Sequence, residues 1–200
     1  MIEVYEPMLG KEELEYVADA INKGQISGGF GEYLDKFENE FAAFCGVKHG
    51  VAVTSGTTAL HLAIDIAGIS PGDEVLMSAS TNIATALGVI HKGAIPVPVD
   101  SEDTTWNLNI NLIESLITEN TKAIIPVHLF GHPVDMDHLM KIANKHELTV
   151  IEDCAEAHGS TIRGRMVGSF GSMSCFSFYA NKVITTGEGG MVVTNDDQLA

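Results

Sequence analysis

Basic residues are scarce in this chain. Lysine and arginine together number 11 against 27 acidic residues, for a formal net charge of −16. Arg163 and Arg165 are the only arginines. Nucleic-acid binding needs a basic face, so that class of function is excluded. An anionic substrate would have to draw its cations from a local cluster, from another part of the protein or from another subunit. Cysteine is also sparse. Cys45, Cys154 and Cys175 are odd in number, form no CxxC and sit in apolar settings. That pattern predicts buried, reduced thiols. No apolar run reaches the length of a membrane span. The stretch Met1-Ile2-Glu3-Val4-Tyr5-Glu6 is acidic where a signal peptide is basic and then apolar. The expectation is a soluble, cytoplasmic protein with no membrane partner. GxGxxG and GxxxxGK are absent, which leaves nicotinamide and P-loop chemistry without a foothold. Internal repeats and low-complexity segments are absent too.

With 45% hydrophobic content, 200 residues can bury a real core. Residues 1–48 read as an N-terminal helical segment. Leu14, Val17, Ala18 and Ile21 have helical spacing, and Gly24 ends that helix. Ile26-Ser27-Gly28-Gly29-Phe30-Gly31 reads as a flexible turn. A second helix places Leu34, Phe37, Phe41, Ala42 and Phe44 on one face, a stripe best explained by core packing. From residue 49 to 200, short β-branched runs alternate with helical ones. Strands are expected at Gly50–Thr54, Glu74–Met77, Ile95–Val99, Lys122–Val127, Thr149–Ile151, Met173–Phe178 and Gly190–Thr194. Pro96 and Pro98 make their strand irregular or an edge. This order predicts an α/β fold of three layers, a mostly parallel sheet with helices on both faces.

Three stretches carry chemistry. Ser55-Gly56-Thr57-Thr58 lies between a strand and an apolar helix. Such a turn presents unpaired N–H groups and a positive dipole end, which suits an anion, although a plain N-cap by Ser55 or Thr57 would look the same. Asp153 follows the strand at Val150, where ligands of open α/β sheets bind. Lys182 lies on the connection between the last two strands. A lone lysine is ordinarily a solvated surface residue. Held at the edge of a core it is partly desolvated and becomes a nucleophile. A Schiff-base lysine with an aspartate on the pyridine nitrogen is the pairing of a pyridoxal phosphate site. His128 and His132 are four apart, but Gly131 and Pro133 interrupt any helix aligning them and no third ligand has motif spacing, so no metal is expected. Gly164, Gly168 and Gly171 suggest a hairpin, with Arg163 and Arg165 solvating it.

The blocks Glu152-Asp153-Cys154-Ala155-Glu156-Ala157, Ser177-Phe178-Tyr179-Ala180-Asn181-Lys182 and Gly187-Glu188-Gly189-Gly190 resemble the DegT-type sugar-nucleotide aminotransferases, which have the aspartate aminotransferase fold. The run through Thr185-Thr186-Gly187-Glu188-Gly189-Gly190-Met191 looks most like their GDP-perosamine synthase branch. The resemblance spans the chain. It implies pyridoxal 5′-phosphate (PLP) as cofactor, with Lys182 as its covalent anchor and Asp153 on its ring nitrogen. Glu156 falls near the ring hydroxyl, and Gly56, Thr57, Thr58 and Ser177 fall around the phosphate. Asn82 stands where many members carry an aromatic residue stacked on the ring. Glu156 stands where glutamine or histidine is common. The resemblance also implies glutamate and a keto sugar nucleotide as substrates, a homodimer or larger assembly, and a smaller C-terminal domain that this chain lacks. A PLP-binding fragment without turnover and a PLP-dependent sugar dehydratase are the alternatives. The dehydratases replace the lysine by histidine, so Lys182 disfavours the latter.

Overall fold

The computed structural model describes residues 6–27 and 31–200. Gly28, Gly29 and Phe30 of the expected flexible turn lie outside the described residues. Two helices lead the chain, α1 (Lys11–Asn22) and α2 (Tyr33–Cys45), and strand β1 (His49–Val53) follows. Next come α3 (Gly56–Ile66), β2 (Glu74–Ser78), α4 (Ile83–His91), β3 (Ile95–Val99), α5 (Ile110–Leu116) and β4 (Thr121–Ile125). A short 3₁₀ turn (Leu129–Gly131), α6 (Met136–Lys145) and β5 (Thr149–Asp153) lead to a small hairpin, β6 (Thr161–Ile162) with β7 (Arg165–Met166). Strands β8 (Met173–Ser177) and β9 (Gly190–Thr194) complete the order.

Seven strands form one sheet in the order β1-β9-β8-β5-β4-β2-β3. The pairs from β3 to β8 are parallel, and β9 runs antiparallel to both its neighbours. The expected mostly parallel sheet is therefore present, with one reversed strand. β3 is an edge, as its prolines require. Ile95 N–H bonds to Asp73 O, so the alternating Pro96 and Pro98 turn their missing donors to the open side.

The strands alternate strictly between two cores. Val75, Met77, Ala123, Ile125, Ile151, Met173, Cys175 and Val192 pack under α3 and α4. Leu76, Ile124 and Val150 point the other way, to Ile113 of α5 and Leu139 and Ile142 of α6. Farther along that second face, Phe41 of α2 meets Phe176 and Phe178 edge-on at 4.9 and 5.1 Å. The period-2 pattern thus covers both faces, which makes the three layers. The aromatic stripe of α2 is core only in part: Phe41 and Ala42 are buried, while Phe44 is half exposed. All three cysteines are free and buried, and burial pushes the Cys45 thiol up to about 12. Among the described residues, no helix is long and apolar enough to cross a membrane.

Arg163 and Arg165 do more than solvate their hairpin. Arg163 pairs with Asp137 at 2.8 Å. Arg165 lies 4.1 Å from the Phe170 ring centroid and bonds Ser169.

Candidate active site

The strands beside the reversed β9 leave a crevice at their carboxyl ends, and the residues singled out above gather there. A cleft of ≈ 320 Å³ is lined by Gly56, Thr57, Asn82, Asp153, Ser177 and Lys182 among others. A larger cleft, ≈ 620 Å³, lies elsewhere, between Asn107, His132, Asp135 and Arg163. None of the lysine, aspartate or glycine-turn chemistry lines it, so size alone does not mark the site.

The floor is built by close backbone approach. Ser55 caps α3, its Oγ accepting from Thr58 N at 3.1 Å. Gly56 and Thr57 occupy the first two helical positions, whose N–H groups have no acceptor within a helix. The positive end of α3 therefore opens on the cleft. A Cβ on Gly56 would lie 2.6 Å from Ser177 Cβ, so only glycine lets α3 approach β8 this closely. Thr58 is turned away from the cleft. Its N–H serves Ser55, and its hydroxyl contacts Ser55 Oγ at 2.9 Å and Thr54 Oγ1 at 3.2 Å.

Lys182 is carried on a closed loop. Phe178 N–H bonds Gly189 O at 2.9 Å, and Phe178 O accepts from Thr186 N at 3.0 Å and from Thr185 Oγ1 at 2.9 Å. Gly187, at φ 83°, supplies the left-handed turn. This accounts physically for the Thr-Thr-Gly-Glu-Gly-Gly run. The Lys182 side chain is 16% exposed, and its Nζ stands 3.9 Å from Glu156 Oε1. Glu156 is anchored through its other oxygen, which accepts from Phe130 N at 3.0 Å.

Asp153 ends β5 on the α3–α4 side. It is 4% exposed. Its Oδ2 accepts from Thr85 Oγ1 at 2.8 Å and its Oδ1 from Ala155 N at 3.2 Å. Burial raises its carboxyl above the ordinary value, against the hydrogen bonds from Thr85 and Ala155 and the charge of Lys182. Asn82 is exposed at the cleft mouth and caps α4, its Oδ1 accepting from Ala84 N at 3.0 Å.

Sequence reasoning missed two features. Thr85 was not singled out, because a threonine in a helix's first turn has no signal of its own. His128 was weighed only against His132. It is wholly buried, whereas His132 is exposed. His128 Nδ1 accepts from Val134 N at 3.1 Å, so the ring proton sits on Nε2, 3.1 Å from Glu152 Oε2. His128, Glu152 and Cys154 do lie close enough to suggest a metal cluster. However, Glu152 is already saturated by Gly168, Phe170 and Gly171 N–H groups and the Ser174 hydroxyl.

With this geometry established, comparison with known proteins gives a consistent result. The DegT/DnrJ/EryC1/StrS aminotransferase family matches residues 7–200. The chain belongs to that family. The GDP-perosamine synthase of Caulobacter vibrioides is 51% identical over 199 residues, covering 100% of this chain and 53% of that protein. An aminotransferase of Psychrobacter cryohalolentis superposes with a TM-score of 0.94 at 42% identity, over 96% of this chain and 49% of the other. DesV of S. venezuelae, solved with a ketimine intermediate, gives 0.86 at 47% identity, over 94% and 52%. The chain thus spans about half the length of the curated relatives it matches. Within the DegT family frame, the cleft lies at the end of the sheet where open α/β folds bind ligands.

Proposed function

We propose that the protein carrying this chain is a PLP-dependent aminotransferase. It moves an amino group from glutamate to a keto sugar nucleotide, a 4-keto-6-deoxyhexose on GDP or a similar carrier. The observation that carries this reading is the convergence of Lys182, Asp153 and the open end of α3 on one cleft.

The residues present fit the cofactor. Gly56 lets the start of α3 sit against Ser177, where a Cβ would collide, and this leaves the first two backbone donors of the helix beside the Ser177 hydroxyl, as a phosphate requires. A buried carboxylate and a lysine line the same cleft. PLP, when bound, supplies an electron sink through its protonated ring nitrogen. Asp153 holds the proton at that nitrogen. The Gly56 and Thr57 N–H groups and the Ser177 hydroxyl hold the phosphate. Lys182 would anchor the cofactor, and its Nζ would hold and return the donor's Cα proton. Glu156 stands beside Lys182 Nζ, placed to hold the ring hydroxyl and to orient the amine.

The substrate assignment is supported by the relatives' names. One is the GDP-perosamine synthase already described, and another, from Bacillus subtilis at 46% identity, is a spore coat polysaccharide biosynthesis protein. A role in surface-polysaccharide amino-sugar synthesis in the cytoplasm follows as part of the proposal. So does a homo-oligomer. Lys182 is the one cation among the described residues lining the cleft. Pairing a diphosphate therefore needs cations from another part of the protein or a second subunit.

The test incubates the protein with PLP, glutamate and a GDP-linked 4-keto-6-deoxyhexose. Mass spectrometry should find the amino sugar nucleotide, with 2-oxoglutarate formed in step. Bound cofactor with no product from any keto sugar nucleotide overturns the substrate assignment.

A further inference from the structure

Asp153 receives one side-chain hydrogen bond among the described residues, and it comes from Thr85. Thr85 is completely buried in the first turn of α4. A threonine hydroxyl has one proton to give. Thr85 spends it on Asp153 Oδ2, because an ionised carboxylate only accepts. The 2.7 Å contact between Thr81 and Thr85 hydroxyls must then be donated by Thr81. The order is Thr81 to Thr85 to Asp153, a chain in which each bond polarises the next. Asn82 caps the same turn, which fixes the backbone that carries Thr85.

We propose that Thr85 is a positioning residue that keeps Asp153 ionised and fixes the plane of its carboxylate, with Thr81 setting the direction of the Thr85 hydroxyl. This rests on the reading of Asp153 as the partner of the cofactor's ring nitrogen. The surroundings make a dedicated donor necessary. Burial opposes the charge on Asp153. Lys182, from the β8–β9 connection, and His128, beyond β4, act on it through space, without a hydrogen bond to the carboxylate. Glu152 lies on the far face of β5, and the neighbouring Cys154 and Cys175 thiols are pushed well above their usual range, so both are neutral. With the Thr85 hydroxyl removed, one backbone N–H would remain on a desolvated carboxylate.

The test is an NMR titration of the Asp153 carboxyl carbon in cofactor-free protein, assigned by its loss in Asp153→Asn. Thr85→Val, close to isosteric, should move the titration to higher pH. Thr85→Ser should restore it, and Thr81→Val should shift it the same way by less. With PLP, Thr85→Val should lower turnover with little change in half-saturation by cofactor. If Thr85→Val does not fold, Thr85→Cys, a weaker donor of similar size, takes its place with the same expected shift. An Asp153 titration unmoved by loss of the donor overturns the proposal. An unmoved titration in Thr81→Val removes Thr81 from the chain. Failure of the parent protein to bind PLP would instead overturn the cofactor reading, which the cofactor-free titration does not depend on.

Discussion

Glu152 and Asp153 are neighbours on β5, and their carboxylates face opposite sides of the sheet. Asp153 opens on the cleft beneath α4. Glu152, fully buried, ties His128 to the Gly168–Ser174 segment with five hydrogen bonds. Burial raises the Glu152 carboxyl, but the His128 bond and the backbone donors outweigh it, and the net displacement is downward. The two acids therefore fail differently. Glu152→Ala strands several buried donors at once and should cost on the order of 3 kcal/mol or more in urea unfolding. A stability within about 0.5 kcal/mol of the parent would mean Glu152 is not the anchor described.

Asp153→Asn keeps the shape and removes the charge. Turnover should fall by orders of magnitude while PLP still binds, because the loss is felt where negative charge develops on the cofactor. Stopped-flow absorbance with glutamate reads the first half-reaction directly. Near-parental rates would shift the role to another acid, such as Glu156 at 3.9 Å from Lys182 Nζ.

Borohydride treatment of PLP-loaded protein should leave a reduced cofactor label on Lys182. Peptide mapping that places the label on another lysine ends the assignment. Lys182→Ala should take no label and lose transamination.

Gly56→Ala pushes a methyl to within 2.6 Å of Ser177 Cβ. The start of α3 must then move off β8, opening the anion cradle. PLP affinity, measured by fluorescence titration, should fall at least about tenfold, equivalent to one hydrogen bond to a charged group. Unchanged affinity would place the phosphate elsewhere.

His158 provides a pH test. Both its ring nitrogens are buried without a well-formed hydrogen bond among the described residues, the Ser177 backbone only partly offsetting that, and the ring packs against Phe176 and Phe178. Burial, then the charge of Lys182, lowers its pKa from 6.5 to about 4. The unfolded chain therefore binds this proton more readily than the folded one. Stability rises with pH through that window and falls as pH drops from about 6.5 toward 4, by roughly 2–3 kcal/mol from this group. His158→Phe should flatten that part of the stability curve. An unchanged slope between pH 4.5 and 7 would show that His158 is not its source.

The alternation of β-branched runs with amphipathic ones was enough to set the architecture from sequence alone, because burial on both faces demands that pattern. Pro96 and Pro98 announced an edge by the donors they lack. The blocks around Lys182 and Asp153 drew attention to both residues, and the fold brings the two to one cleft, Asp153 as the last residue of β5 rather than past it. What no local pattern could supply is direction across the sheet. Glu152 and Asp153 are equally acidic neighbours, and only the register of β5 against β8 assigns one to a structural knot and the other to the cleft. Thr58 and Thr85 show the same limit. Cap geometry turned Thr58 away from the site. Thr85, 68 residues from Asp153, gains its role only when α4 settles on the end of β5. Sequence determines which residues can do chemistry, through their type and periodicity. Tertiary structure decides which of them meet, because hydrogen bonds between distant segments exist only after packing has chosen the faces.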